Sequence, residues 1–139
     1  MVKIFNKYIF FKLSLVLSLL TAVCCQKAPI NGHLDGRWQI MEIEHQEKVE
    51  NVADSQFYYN FYLHVCNLSY YGGVLSEANF IYKDNLIYLD FPYVETPEGL
   101  YNLTKYGIYS NPVEFEVMYL DKKKLIMRND ESLITLRKF

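Results

Sequence analysis

The feature that most constrains this chain is a period of two. Val113-Glu114-Phe115-Glu116-Val117 alternates apolar with acidic residues, and a β-strand sends successive side chains to opposite faces in that rhythm. One face is then buried and the other wet, as in an antiparallel sheet. The same spacing groups Phe57, Tyr59, Phe61, Leu63 and Val65 against Tyr58, Asn60, Tyr62, His64 and Cys66. It recurs in Ala78, Phe80 and Tyr82, in Ile87, Leu89 and Phe91, in Leu125 and Met127, and from Leu133 to Phe139. Between these runs lie Tyr71-Gly72-Gly73, Lys83-Asp84-Asn85, Asp121-Lys122-Lys123 and Asn129-Asp130-Glu131, residues that suit tight turns. The pattern predicts an all-β domain of seven or eight antiparallel strands in a meander. Closure into an up-and-down barrel removes the edges such a meander would expose. Thr96 to Thr104 lacks the alternation and is expected to hold one short helical turn.

The N-terminus obeys a different logic. Lys3, Lys7 and Lys12 precede an apolar run from Leu13 to Val23, followed by Cys24 and Cys25. A basic head, an apolar centre and a short exit make a secretory signal, and the run is too short for a membrane span of about 20 residues. Leu-Leu-Thr-Ala-Val before a cysteine resembles the lipobox of bacterial lipoproteins. That resemblance implies a diacylglycerol on the thiol and cleavage just before it. Both cysteines are candidates; Cys25 is preferred because it puts the small Cys24 at the cleavage position and Ala22 three residues back, whereas Cys24 would put Val23 there. Residues 1–25 are then a lipoprotein signal peptide. Residues 26–34, with Pro29 and Gly32 and no periodicity, form a tether, and residues 35–139 form the barrel. More than one acyl chain makes such an anchor stable.

Composition narrows the function. Loss of the leader removes three lysines and no acidic residue, so the formal charge of −2 becomes −5. That balance gives no footprint for nucleic acid, and the one basic cluster, Lys122 to Lys124, reads as a solvated turn, with a patch for anionic lipid as the alternative. Three cysteines, two of them in the leader, leave no disulfide framework. The domain must stand on a single apolar core, for which about 105 residues suffice. Glu42, Glu44, His45 and Glu47 are the densest group of metal-type ligands, but on a strand His45 faces away from Glu42 and Glu44. Glu114 and Glu116 lie on a polar face, away from any pocket that could perturb them. No nucleophile elbow, phosphate loop or paired Cys and His occurs, so neither an enzyme nor a metal or cofactor site is expected.

Asp35-Gly36-Arg37-Trp38 opening the first strand resembles the Gly-x-Trp signature of lipocalins and lipocalin-like proteins. The ending Leu133-Ile134-Thr135-Leu136-Arg137-Lys138-Phe139 resembles that of small lipocalin-like lipoproteins of Bacteroidetes. Tyr106-Gly107-Ile108 ahead of Phe115 and the Leu120 to Leu125 hairpin fit the same pattern. The resemblance covers Asp35 to Phe139 and implies a calycin-type barrel closed at one end by Gly36 and Trp38, with Arg137 packed over the indole. It also implies a periplasm-facing location in the cell envelope, since no acidic run follows Cys25. The chain is shorter than full-size lipocalins, which argues against a large cavity.

Twelve tyrosines follow the leader. Tyr59, Tyr82 and Tyr119 are the candidates to line a pocket at the barrel mouth for a small apolar ligand. Tyr58, Tyr62, Tyr88 and Tyr101 could instead form an outer recognition surface for an envelope protein or glycan. Aromatic cross-strand pairs that merely stabilise the sheet are the third reading. The expected protein is therefore a membrane-anchored lipocalin-like lipoprotein that binds a small apolar ligand, or else a non-catalytic interaction module with a packed barrel.

Overall fold

The computed structural model describes residues 29–139; the leader, Cys24, Cys25 and the first tether residues lie outside it. Nine strands form one antiparallel sheet: β1 (Gly36–His45), β2 (Lys48–Asn51), β3 (Tyr58–Tyr62), β4 (Val65–Tyr70), β5 (Gly73–Lys83), β6 (Leu86–Asp90), β7 (Val113–Leu120), β8 (Lys124–Arg128) and β9 (Ser132–Lys138). Neighbours in sequence pair from β3 to β9, β1 pairs with β3, and β9 returns to β1. Eight strands thus close into the expected barrel, and β2 hangs as a ninth on the edge of β1. The single α-helix among the described residues, α1 (Pro97–Thr104), is longer than the one turn expected. The Thr96 hydroxyl caps it by accepting from the Gly99 amide at 3.1 Å, with proline in its first turn, a standard helix start.

Up-and-down order divides the barrel into two ends. The closed end carries the β3–β4, β5–β6 and β7–β8 turns together with the start of β1 and the finish of β9. A 3-10 turn at Gly32–Leu34 covers it, with Leu34 fully buried. The packed domain therefore begins before Asp35, inside the segment assigned to the tether. The open end carries β2, the β4–β5 and β8–β9 turns, and the long connection from β6 through α1 to β7.

The interior is filled by aromatic rings. Trp38, Tyr59, Phe61, Phe80, Phe91, Tyr106 and Phe115 are all essentially inaccessible. Tyr59 stacks on Phe61 at 5.8 Å between centroids and meets Tyr106 and Phe115 edge-on at 6.0 and 6.4 Å, the offset and T-shaped geometries that ring quadrupoles favour. Ile87, Leu89, Phe91, Leu125, Met127, Ile134 and Leu136 are buried as the alternation requires.

Two departures from the alternation have local causes. Phe57 to Cys66 is not one strand but two, joined by a two-residue turn at Leu63 and His64, with Leu63 in the left-handed region at φ 55°. Leu63 is consequently exposed, and Cys66, placed on the outer face by a continuous strand, points inward and is fully buried. Neither Leu63 nor His64 is a turn-forming type, so no residue announces the break. In β7 a bulge at Met118 inserts one extra residue, since Val117 faces Met127 but Tyr119 faces Ile126. A bulge shifts the phase by one, which turns Tyr119 outward and Leu120 inward.

Candidate functional site

At the closed end the indole of Trp38 is completely buried and its Nε1–H donates to the Leu34 carbonyl at 2.7 Å. The cation over its ring is Lys138, whose Nζ lies 4.4 Å from the ring centroid. Arg137 does not pack there. Across the β1–β9 pair Trp38 faces Lys138 and Gln39 faces Arg137, and alternation sends Arg137 to the outer surface, where it donates to Gln39 Oε1 at 2.8 Å. Lys138 also donates to the backbone carbonyls of His33 and Asp35. Burial lowers its pKa, opposed by Asp35. Gly36 has φ 125°, and a Cβ there would sit 2.9 Å from Lys138 Cε. Gly36, Trp38 and Lys138 thus form one closure of the barrel.

The three tyrosines assigned to a mouth pocket are not brought together. Tyr59 lies deep in the barrel, and its hydroxyl donates to the Tyr106 carbonyl at 2.6 Å. Tyr82 is half-buried beside the β5–β6 turn at the closed end, with its hydroxyl 3.5 Å from Asn85 Oδ1. Tyr119 is outside, 47% exposed, donating to Asp121 Oδ2 at 2.7 Å. The proposed outer surface is likewise dispersed. Tyr58 is buried beneath Arg37, whose guanidinium carbon lies 3.8 Å from the ring centroid, while Tyr62 lies at the closed end and Tyr101 on α1 at the open end.

The open end holds a different arrangement. The connection after α1 drops Tyr106 into the barrel, where its hydroxyl donates to the Ser69 carbonyl at 2.9 Å. Gly107, with φ 74°, lies against β9, and its carbonyl accepts from Ser132 Oγ at 2.7 Å and Asn129 Nδ2 at 3.0 Å. Burial raises the pKa of both Tyr59 and Tyr106, so their hydroxyls stay protonated and donating. Below this plug the barrel is occupied by the buried rings of Tyr59, Phe61, Phe80 and Phe115.

Beside the plug a cleft of about 580 Å³ remains, within the usual range of small-ligand sites. Ile43, Val52 and Phe57 supply its apolar surface, and His45, Lys48, Glu50, Thr104, Lys105 and Tyr109 its polar rim. His45 and Tyr109 stack with centroids 4.1 Å apart and planes within 12°. His45 Nδ1 lies 2.8 Å from the Glu131 carbonyl; a carbonyl only accepts, so that nitrogen carries hydrogen. Burial, then Glu50 and Glu131, raise the pKa of Tyr109. Lys48 pairs with Glu50 at 2.8 Å. The cleft can therefore receive an apolar body and offer hydrogen-bond donors and acceptors to a polar end. The one sequence signal for it was the non-alternating Thr96–Thr104 segment, because a long connection among tight turns usually carries function. The pairing of β1, β2, Phe57 and Tyr109 around it left no such mark.

A family model described as a lipocalin-like domain matches residues 18–139. Among solved structures, a lipocalin-like protein from Bacteroides uniformis ATCC 8492 is 23% identical, with a TM-score of 0.61 over 78% of this chain and 100% of its own. An uncharacterized protein from Bacteroides eggerthii DSM 20697 is 19% identical, with a TM-score of 0.58 over 76% of this chain and 98% of its own. No curated protein matches.

Proposed function

Because the chain belongs to the lipocalin-like domain family, we propose that it is a non-catalytic binding protein of the cell envelope, which holds a small, largely apolar ligand at the open end of its barrel. The anchor in this reading is an acylated Cys25, or Cys24 if cleavage falls one residue earlier. The observation that carries the binding role is the cleft of about 580 Å³ with Ile43, Val52 and Phe57 on its walls. A filled interior below it limits the ligand to the mouth.

The test is a titration with fatty acids, retinoids and bile-acid-like molecules, followed by chemical shifts. Resonances of Val52, Phe57 and Tyr109 should move, while the Trp38 indole at the other end should not. Phe57→Ala should weaken binding about tenfold, the loss expected on removing much of an apolar contact. A broad panel that moves none of these resonances would leave the interaction module as the better reading. The anchor is checked separately, by an acyl mass increment that disappears when Cys24 and Cys25 are both replaced by Ser.

A further inference from the structure

The residues at the two ends of the barrel differ in charge. At the open end the exposed carboxylates of Glu47, Glu50, Asp54, Glu98, Asp130 and Glu131 outnumber Lys48 and Lys105. At the closed end Lys83, Lys122, Lys123 and Lys124 are all exposed and form no ion pair among the described residues. Asp35, Asp84 and Asp121 lie at the same end and are outnumbered by these four lysines. Asp121 accepts from the Lys123 and Lys124 amides at 2.7 Å each, and Asp35 accepts from the Asn31 amide and side chain. The same end exposes Ile30, Tyr62, Ile81 and Phe139, as the open end exposes Val49, Tyr71, Val74, Tyr93 and Tyr101, so charge and not apolar area tells the two ends apart. Basic and aromatic or aliphatic residues together are the composition of a surface that rests on an anionic bilayer.

We propose that the closed end of the barrel is a docking surface for a bilayer bearing anionic headgroups, so that the open cleft points away from the membrane. Charge complementarity and the position of the tether select this occupant. Asn31 Nδ2 donates to the Leu63 carbonyl at 3.0 Å, which fixes the chain to the closed end. Four residues separate Cys25 from Ile30, and the five Cα–Cα steps between them span at most about 18 Å. An anchor on Cys25 therefore holds this end near the lipid, whereas the open end lies a barrel height of about 25 Å further out. That height is about three Debye lengths at physiological salt. The acidic open end then exerts almost no repulsion, and the formal charge of −5 does not oppose docking. The short tether rests on the acylation proposed above; the charge asymmetry does not.

Lysine acetylation footprinting of the mature chain reads the orientation directly. With vesicles of phosphatidylcholine and phosphatidylglycerol, Lys83, Lys122, Lys123 and Lys124 should be protected severalfold relative to pure phosphatidylcholine, and Lys48 and Lys105 should not. Protection should fade as salt is raised. Lys122→Glu with Lys123→Glu, at exposed turn positions, should lower partitioning by roughly fivefold or more per site. If the mass shows no acyl group, the same pattern is expected at low ionic strength only, which separates failure of the anchor from failure of the surface. Equal labelling of all six lysines with and without phosphatidylglycerol, or selective protection of Lys48 and Lys105, would overturn the proposal.

Discussion

At the scale of single residues, the closure of the barrel depends on which of two adjacent cations meets Trp38. Lys138 lies over the indole and donates to two backbone carbonyls, whereas Arg137 makes one hydrogen bond to Gln39 on the outer face. Lys138→Ala should cost about 1–2 kcal/mol, from a partly buried cation–π contact and lost hydrogen bonds. It should also shift the emission of Trp38, the chain's single tryptophan. Arg137→Ala should cost about 0.5–1 kcal/mol and leave the emission unchanged. Denaturant curves with fluorescence detection check both; the opposite ranking would return Arg137 to the closure.

At the scale of elements, two positive-φ positions have opposite fitness for their residues. Gly107 suits its φ of 74°, and a Cβ there would come 2.7 Å from Ile134 Cδ1 and 3.1 Å from Ser132 Oγ. Gly107→Ala should therefore destabilise by about 2–3 kcal/mol and loosen the segment that seats Tyr106. Leu63 is a poor residue for φ 55°. Leu63→Gly should leave stability unchanged or raise it, whereas Leu63→Val, β-branched in the same region, should lower it by about 1 kcal/mol. Thermal melts of the three variants decide the point. The alternation of the sequence runs unbroken across this turn, because the turn's peculiarity is a backbone angle that the residues do not display.

At the scale of the whole molecule, the tyrosine plug couples stability to alkaline pH. Burial raises the pKa of Tyr59 and Tyr106 above the ordinary phenol value of 10.0. Above pH ~10 the unfolded chain loses these protons while the folded one keeps them. The unfolded state then binds fewer protons, so stability is full below about pH 10 and falls as pH rises through the folded values. A pH series of denaturant midpoints should show this loss, and Tyr59→Phe should reduce its slope. Identical slopes in the variant would mean that other groups govern alkaline unfolding.

The fold class was legible because a period of two is a property of neighbouring residues, and a short antiparallel meander needs little beyond local pattern and turn chemistry. Inward positions such as Phe80, Ile87, Leu89 and Phe115 followed from it directly, and Gly36-Arg37-Trp38 located the barrel closure. What the chain could not declare locally was phase and proximity. An unmarked turn at Leu63 and a bulge at Met118 each shifted the face of the residues that follow within the same run, which moved Cys66 inward and Tyr119 outward. The register of β1 against β9 decided that Lys138 and not Arg137 lies over Trp38. The mouth cleft joins residues from β1, β2, the start of β3 and the segment after α1. Only closure of the barrel brings them together, because no spacing along the chain encodes a contact between elements whose distance is set by the sheet.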